Sequence, residues 1–444
     1  VLPLPEKLAA MKLICGFAIA LPAMVSGTKA LQNSTPKKEG LPHVDEYFPQ
    51  MVREEVDARG RLRVFDLIFK GTGGSLPWHG LTWRRHLNTG GFGKVFHVAF
   101  EGPSMGGSCA GAQWAVKVSR KRWEVDAKAA ADVLKGACVE HSLAGMVDEQ
   151  GPAVLGAVDV RTHEGHVFIL MPRARIDLMD WLHRIDEEPR GMVLAAKLHV
   201  LHHVLMGIKR LHAAGFVHCD IKPENVVLDY DDSPFFPAVF LIDFDSLKPV
   251  GHTKKELTGT PDYWSPTYWT SKICGRDTDI WAAGVTMYIM LFGEDPYSLP
   301  PKGTPGRFQN LKVFVARMAE LTDDQLLASL PRDSPHARAS ARFLKDTGNV
   351  GFFRAFFSDE RESIFGALVD YAEALDNKDG MSTQEKAHAG GTSRRFSPQC
   401  AHSVRNLPGG RSLSAEVFKD TVHQCLTEPL RLDGDVKISL KGRQ

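Results

Sequence analysis

The chain has 444 residues, of which 43% are hydrophobic and 24% charged, the makeup of a folded globular protein. That length excludes a peptide-sized scaffold held together by disulfides or metals. With 54 Lys+Arg against 53 Asp+Glu the net charge is +1, so no bulk attraction draws the chain to nucleic acid or to an anionic membrane.

In chain order, the first feature is Met11-Lys12 followed by an apolar run from Leu13 to Val25 and then Ser26-Gly27-Thr28. A short positive start, about a dozen apolar residues and small residues after them predict a signal peptide region over 1–30. A buried first helix is the alternative; the run is short for a bilayer span, which takes roughly 20 residues. Residues 31–75 read as a polar leader, in which Arg53, Arg59, Arg61 and Arg63 form a solvated face or, more weakly, a membrane contact. Removing Cys15 with the signal leaves Cys109, Cys138, Cys219, Cys274, Cys400 and Cys425. An even count in a secreted chain permits bridges, free buried thiols suit the sequence equally, and no pair has zinc-site spacing.

Strand-like runs follow at Leu81–Leu87, Val95–Phe100 and Gln113–Val118, and helices are expected to dominate from about 122. The hairpin Leu87-Asn88-Thr89-Gly90-Gly91-Phe92-Gly93-Lys94-Val95 is glycine-rich, which lets backbone N–H groups approach phosphates. Alone it is a weak signal. Trp114-Ala115-Val116-Lys117 ends an apolar strand on a lysine, which is costly to bury unless it meets anionic groups. Glu140, in a helical run over 129–147, is the carboxylate chosen as its partner.

The stretch Leu194 to Leu211 has helical spacing through Leu198, Leu201, Leu205 and Ile208. His199 and His203 stand one turn apart on it, but with no acidic or cysteine partner nearby in sequence they read, with His202, as surface histidines. Next comes the strongest signal, His218-Cys219-Asp220-Ile221-Lys222-Pro223-Glu224-Asn225, with an apolar strand from Val226 after it. Here an Asp can take a hydroxyl proton, a Lys can neutralise a phosphoryl group and an Asn can ligate Mg²⁺. Phe240-Leu241-Ile242-Asp243-Phe244-Asp245 offers a second metal contact, Gly259-Thr260-Pro261-Asp262-Tyr263-Trp264-Ser265-Pro266 follows, and Asp279 opens a buried helix through Phe292. Residues 376–412 read as a disordered or looped insertion.

In this order the motifs from about 80 to 440 resemble the eukaryotic protein kinase catalytic domain. The resemblance implies an α+β, bilobal fold, with a β-rich N-lobe over 76–172, a helical C-lobe over 173–440, and ATP in the cleft between them. It implies that Lys117 holds the α/β-phosphates and pairs with Glu140, that Asp220 is the catalytic base and that Lys222 contacts the γ-phosphate. Asn225 and Asp243 would ligate Mg²⁺. Leu87, Asn88, Gly90, Gly93, Val95 and Ala115 would line the nucleotide, with Met171 as gatekeeper and Pro172 and Ala174 in the hinge. The implied reaction is phosphoryl transfer to a protein substrate, in the serine/threonine pattern because of Lys222.

Several positions depart from that family's pattern. Asn88 replaces the loop's first glycine, and Asp245 replaces the glycine after Asp243-Phe244. Cys219 replaces the Arg that pairs with a phosphorylated activation loop, and Glu256 stands where the phosphosite falls, so that switch is expected to be dispensable. Thr267 replaces a Glu whose late Arg partner is expected to be Arg431. Lys117, Asp220, Asn225 and Asp243 are all kept, which favours an active enzyme over a pseudokinase acting as a binding or allosteric module. With its signal peptide and divergent activation segment the chain is similar to apicomplexan rhoptry kinases, delivered to the parasite's vacuole or the host cell; a kinase of the secretory lumen is the other reading.

Overall fold

The computed structural model describes Leu76, Trp78 and residues 80–89, 93–100, 113–119, 154–163, 166–188, 190–230, 233–297 and 304–379, with two short strands near the C-terminus. The expected signal region, the leader with its arginines, Gly90, Glu140, Arg431 and the 380–412 part of the insertion lie outside these residues. The chain divides into two units, residues 1–173 with 394–444, and residues 174–393. The C-lobe assignment above put 394–440 with the second unit. Of these only Leu432–Asp433 and Lys437–Ile438 are among the described residues.

The first unit is built on an antiparallel sheet of β1 (Leu81–Thr89), β2 (Gly93–Phe100), β3 (Trp114–Ser119), β4 (Asp159–His163) and β5 (His166–Pro172), in the order β1-β2-β3-β5-β4. Strands β4 and β5 correct the expectation of helices from about 122 onward. In β5 Val167, Phe168, Ile169 and Leu170 are all buried, an apolar run that suits its central place between β3 and β4. On one face Phe96, Val116 and Leu170 stand in register across three strands. Trp78, ahead of the sheet, donates from Nε1 to Asp159 Oδ2 at 2.8 Å, and Arg161 Nε reaches the same oxygen at 2.9 Å. The Arg161 guanidinium lies over the Trp78 ring at 5.2 Å. This buried triad ties the segment before β1 to the strand farthest from it in the sheet.

The second unit is mostly helical. After the two-residue strand β6 (Ile176–Asp177) come α1 (Leu178–Ile185) and α2 (Arg190–Ala213), the helix that the leucine spacing predicts. Leu198, Leu201, Leu205, Ile208 and Leu211 are buried, as that spacing requires. Helix α2 is also long and apolar enough to pass for a membrane span, but most of it is buried in the unit. Short strands β7 (Phe216–Val217), β8 (Val226–Asp229), β9 (Ala238–Leu241) and β10 (Lys248–Pro249) form the sheets β6-β8-β9 and β7-β10. Helices α3 (Pro266–Ser271), α4 (Arg276–Phe292), α5 (Arg307–Glu320), α6 (Asp323–Ser329), α7 (Pro335–Leu344), α8 (Thr347–Ala355) and α9 (Phe365–Asp376) complete it. Ser265 caps α3 by accepting from Tyr268 N–H, with Pro266 at the first helical position. Helix α4 is buried almost throughout, as expected of its apolar sequence.

The histidines of α2 are a second correction. His199 and His202 are buried, and both face Asp376 at the end of α9, more than 170 residues away in sequence. Local spacing cannot reveal a partner at that distance.

Candidate active site

The antiparallel register sets the nucleotide-binding candidates of the first unit. Val95 pairs with Lys117, and Lys117 with Ile169; Ala115 pairs with Met171. Directly opposed residues share a face, and alternate residues along a strand do too. Val95, Ala115, Lys117 and Met171 therefore lie on one face of the sheet, opposite the face that meets Trp78. Lys117, Ala115 and Met171 are buried there. Gly93 pairs with Ser119 in the neighbouring strand, and a Cβ on it would sit 2.6 Å from the Val118 carbonyl oxygen. Only glycine allows that approach. Leu87 and Asn88 lie near the end of β1, Leu87 half-buried and Asn88 exposed. Pro172 ends β5, and the Arg173 N–H donates to the Gln113 carbonyl at 2.9 Å.

In the second unit the chain leaves α2 through a turn at Gly215, passes β7 and enters the loop that carries Asp220. Asp279, fully buried in the first turn of α4, holds this loop from beneath. Its Oδ2 accepts from the His218 N–H and its Oδ1 from the Cys219 N–H, each at 2.8 Å. His212 Nε2 approaches Oδ2 at 2.8 Å. His218 Nε2 in turn lies 3.1 Å from the Ile242 carbonyl, which positions the segment leading to Asp243.

The Asp220 carboxylate is held by four hydrogen bonds. Lys222 Nζ donates to Oδ2 at 2.7 Å and Asn225 Nδ2 to the same oxygen at 3.0 Å. Thr260 donates to Oδ1 from both its backbone N–H and its hydroxyl, each at 2.8 Å. Lys222 also donates to Thr260 Oγ1 at 2.8 Å. Thr260 is a site residue that the sequence reading missed. The signal was its place after Gly259, whose φ of +76° and whose missing Cβ, which would stand 2.2 Å from the Cys219 carbonyl oxygen, let the segment close onto the loop. Nearby, burial foremost, and then the charges of Glu224, Asp262 and Asp220, push the Tyr263 phenol well above its ordinary range, so it stays neutral.

Two of the three non-glycine residues with positive φ among the described residues flank this chemistry: Cys219 at 68° and Asp243 at 67°. Such conformations cost of order 1–3 kcal/mol each and persist only where the surroundings enforce them. At Cys219 the enforcement is covalent, because Cys219 is bridged to Cys274, just before α4, with the Cα atoms 5.9 Å apart. The sequence left bridge or free thiol open.

Around Thr267 the structure names a different arginine from the one expected. Arg361, almost fully buried, donates from Nη2 to Thr267 Oγ1 at 3.2 Å and to Asp277 Oδ2 at 3.3 Å, and from Nε to the Asp277 carbonyl at 3.1 Å. Asp277 supplies the charge that Thr267 lacks, and Ser265 Oγ donates to the same carboxylate at 3.0 Å. Glu256 is paired as well, with Lys248 Nζ at 3.2 Å.

Asn225 and Asp243 are brought together through the backbone: the Ile242 N–H donates to the Asn225 carbonyl at 3.0 Å. The Asn225 amide spends its donor side on Asp220, at the backbone carbonyl (2.8 Å) and the carboxylate. That orientation leaves the amide oxygen as the ligating atom. An amide oxygen together with the Asp243 carboxylate would be a hard-oxygen donor set that fits Mg²⁺.

The protein kinase domain family matches residues 82–345, more than half of the chain. The chain belongs to the protein kinase domain family. Curated relatives agree. Serine/threonine-protein kinase D2 of Rattus norvegicus is 31% identical over 134 residues, covering 30% of this chain and 15% of its own length. Serine/threonine-protein kinase D3 of Homo sapiens matches at the same identity and coverage. Serine/threonine-protein kinase dkf-1 of Caenorhabditis elegans is 31% identical over 134 residues and 18% of its length. The chain thus spans under a fifth of each of these relatives. Membership carries the α+β, bilobal kinase fold and the use of ATP and Mg²⁺.

Proposed function

We propose that this kinase domain is an active serine/threonine kinase, transferring the γ-phosphate of ATP to a protein hydroxyl without needing a phosphorylated activation segment. The observation that carries the reading is the Asp220 carboxylate held by Lys222, Asn225 and Thr260. A fixed carboxylate can receive the proton of an incoming hydroxyl. Lys222, tied to both Asp220 and Thr260, supplies positive charge next to the base. Lys117, on the sheet face with Val95 and Ala115, would hold the nucleotide phosphates. Asn225 and Asp243 would hold Mg²⁺, which when bound neutralises phosphate charge. Three features support independence from phosphorylation: the Cys219 bridge where the family has Arg, the Glu256–Lys248 ion pair, and the Arg361–Asp277 anchor.

The reading extends to a secreted enzyme of the rhoptry type. The apolar run after Met11 supports secretion, and so does a disulfide next to the catalytic loop, since such bridges persist in oxidising compartments. Fusing residues 1–30 to a leaderless reporter tests the secretion. For activity, purified protein is incubated with labelled ATP, Mg²⁺ and generic substrates, beside Asp220→Ala. Transfer by the wild type and a loss of about 100-fold or more in the variant are expected. Thermal stabilisation by ATP without any transfer would establish a pseudokinase instead.

A further inference from the structure

Outside the kinase site, the second unit buries a cluster of three imidazoles and a carboxylate. His199, His202 and Asp376 are each less than a tenth exposed, and His203 is half-buried. His199 Nδ1 lies 3.2 Å from both carboxylate oxygens of Asp376, and His202 Nδ1 lies 3.1 Å from Oδ2. His199 and His203 are one helical turn apart on α2, with ring centroids 4.4 Å apart. One ligand atom from each of His199, His203 and Asp376 falls within 4.8 Å of the others.

The proton count makes this cluster unusual. On its other side His199 Nε2 lies 3.3 Å from the Pro237 carbonyl, so both ring nitrogens face acceptors. A neutral imidazole carries one N–H. Either tautomer sets one lone pair against an acceptor, Nε2 against the Pro237 carbonyl or Nδ1 against the carboxylate, and a cation at Nδ1 relieves the second arrangement. His202 can use its own Nδ1–H to hold Asp376, which leaves its Nε2 buried without a partner.

We propose that His199, His203 and Asp376 bind a Zn²⁺ ion, with His199 ligating through Nδ1 and His202 holding the carboxylate from behind. Two imidazole nitrogens and a carboxylate oxygen are the donor set of zinc, and imidazole argues against Mg²⁺ or Ca²⁺. With metal–ligand bonds of about 2.0–2.1 Å, tetrahedral ligand atoms stand roughly 3.3 Å apart, close to the observed separation of His199 Nδ1 and Asp376. The Pro237 carbonyl fixes the His199 tautomer, the usual second contact of a ligating imidazole. The ion would pin the end of α9 to the middle of α2, the helix that leads to the Asp220 loop. Its role is to brace the fold, and it stands apart from the Mg²⁺ ligands and from the proposed catalysis.

The test uses the full chain in excess Mg²⁺. Wild type is equilibrated with ZnCl₂, and separately with CoCl₂, dialysed, and assayed for bound metal, visible absorption and melting temperature. One tightly bound Zn²⁺, the intense absorption of tetrahedral Co²⁺ and a melting temperature several degrees higher with Zn²⁺ than with EDTA are expected. His203→Leu, at the half-buried position, should fold, melt cooperatively and lose all three responses. Asp376→Asn should lose them too. No retained zinc in the wild type would overturn the proposal. So would zinc binding that survives in His203→Leu, because that would place the ion elsewhere, on thiols for example.

Discussion

The Asp220 carboxylate takes two of its four hydrogen bonds from Thr260, both of them at Oδ1. Thr260→Val removes the hydroxyl but keeps the shape and the backbone donor. We expect kcat to fall by on the order of 10- to 100-fold with little change in KM for ATP. A variant with unchanged kcat would mean that Lys222 and Asn225 suffice to aim the base. Gly259→Ala meets two penalties at once, a φ of +76° and a Cβ 2.2 Å from the Cys219 carbonyl. A loss of about 1–3 kcal/mol in denaturant unfolding is expected, with activity falling alongside. At this scale a short string was enough to bring out Asp220, Lys222 and Asn225 as neighbours, which the structure joins by hydrogen bonds. It failed where the partner is remote. Arg361 stands 94 positions from Thr267, and Asp376 177 from His199, and no periodicity links such pairs.

Among the elements, the loop carrying Asp220 is fixed to the start of α4 in two ways, through Asp279 and through the Cys219–Cys274 bridge. The bridge closes a span of 55 residues. By the loop-entropy relation such a closure is worth about 4 kcal/mol. Cys274→Ser, or reduction of the wild type, should lower the melting temperature markedly, and phosphoryl transfer should drop because Cys219 loses what holds it at positive φ. Equal stability of the oxidised and reduced forms would show that Asp279 alone sets the loop. Asp279→Ala leaves the His218 and Cys219 N–H groups buried without their acceptor, and a loss of about 3 kcal/mol or more is expected in urea unfolding. Strands β1 to β3 and helices α2 and α4 were legible because their apolar periods are long. Strands β4 and β5 were not: β4 is a short, mostly polar segment, and β5 is a continuous apolar run that reads as well for a buried helix.

For the molecule as a whole, near-neutral charge says little about chemistry; what matters is a few charges placed singly. Lys222 stands beside the Asp220 carboxylate, and Glu256 and Asp277 are each held by a fixed cation, Lys248 and Arg361. The most direct test is γ-phosphate transfer by protein pretreated with phosphatase, beside untreated protein and Asp220→Asn. Equal initial rates are expected for treated and untreated enzyme, with a loss of about 100-fold or more in the variant. Wild type that transfers nothing, transfer that persists in Asp220→Asn, or activity abolished by the phosphatase would contradict the proposed function.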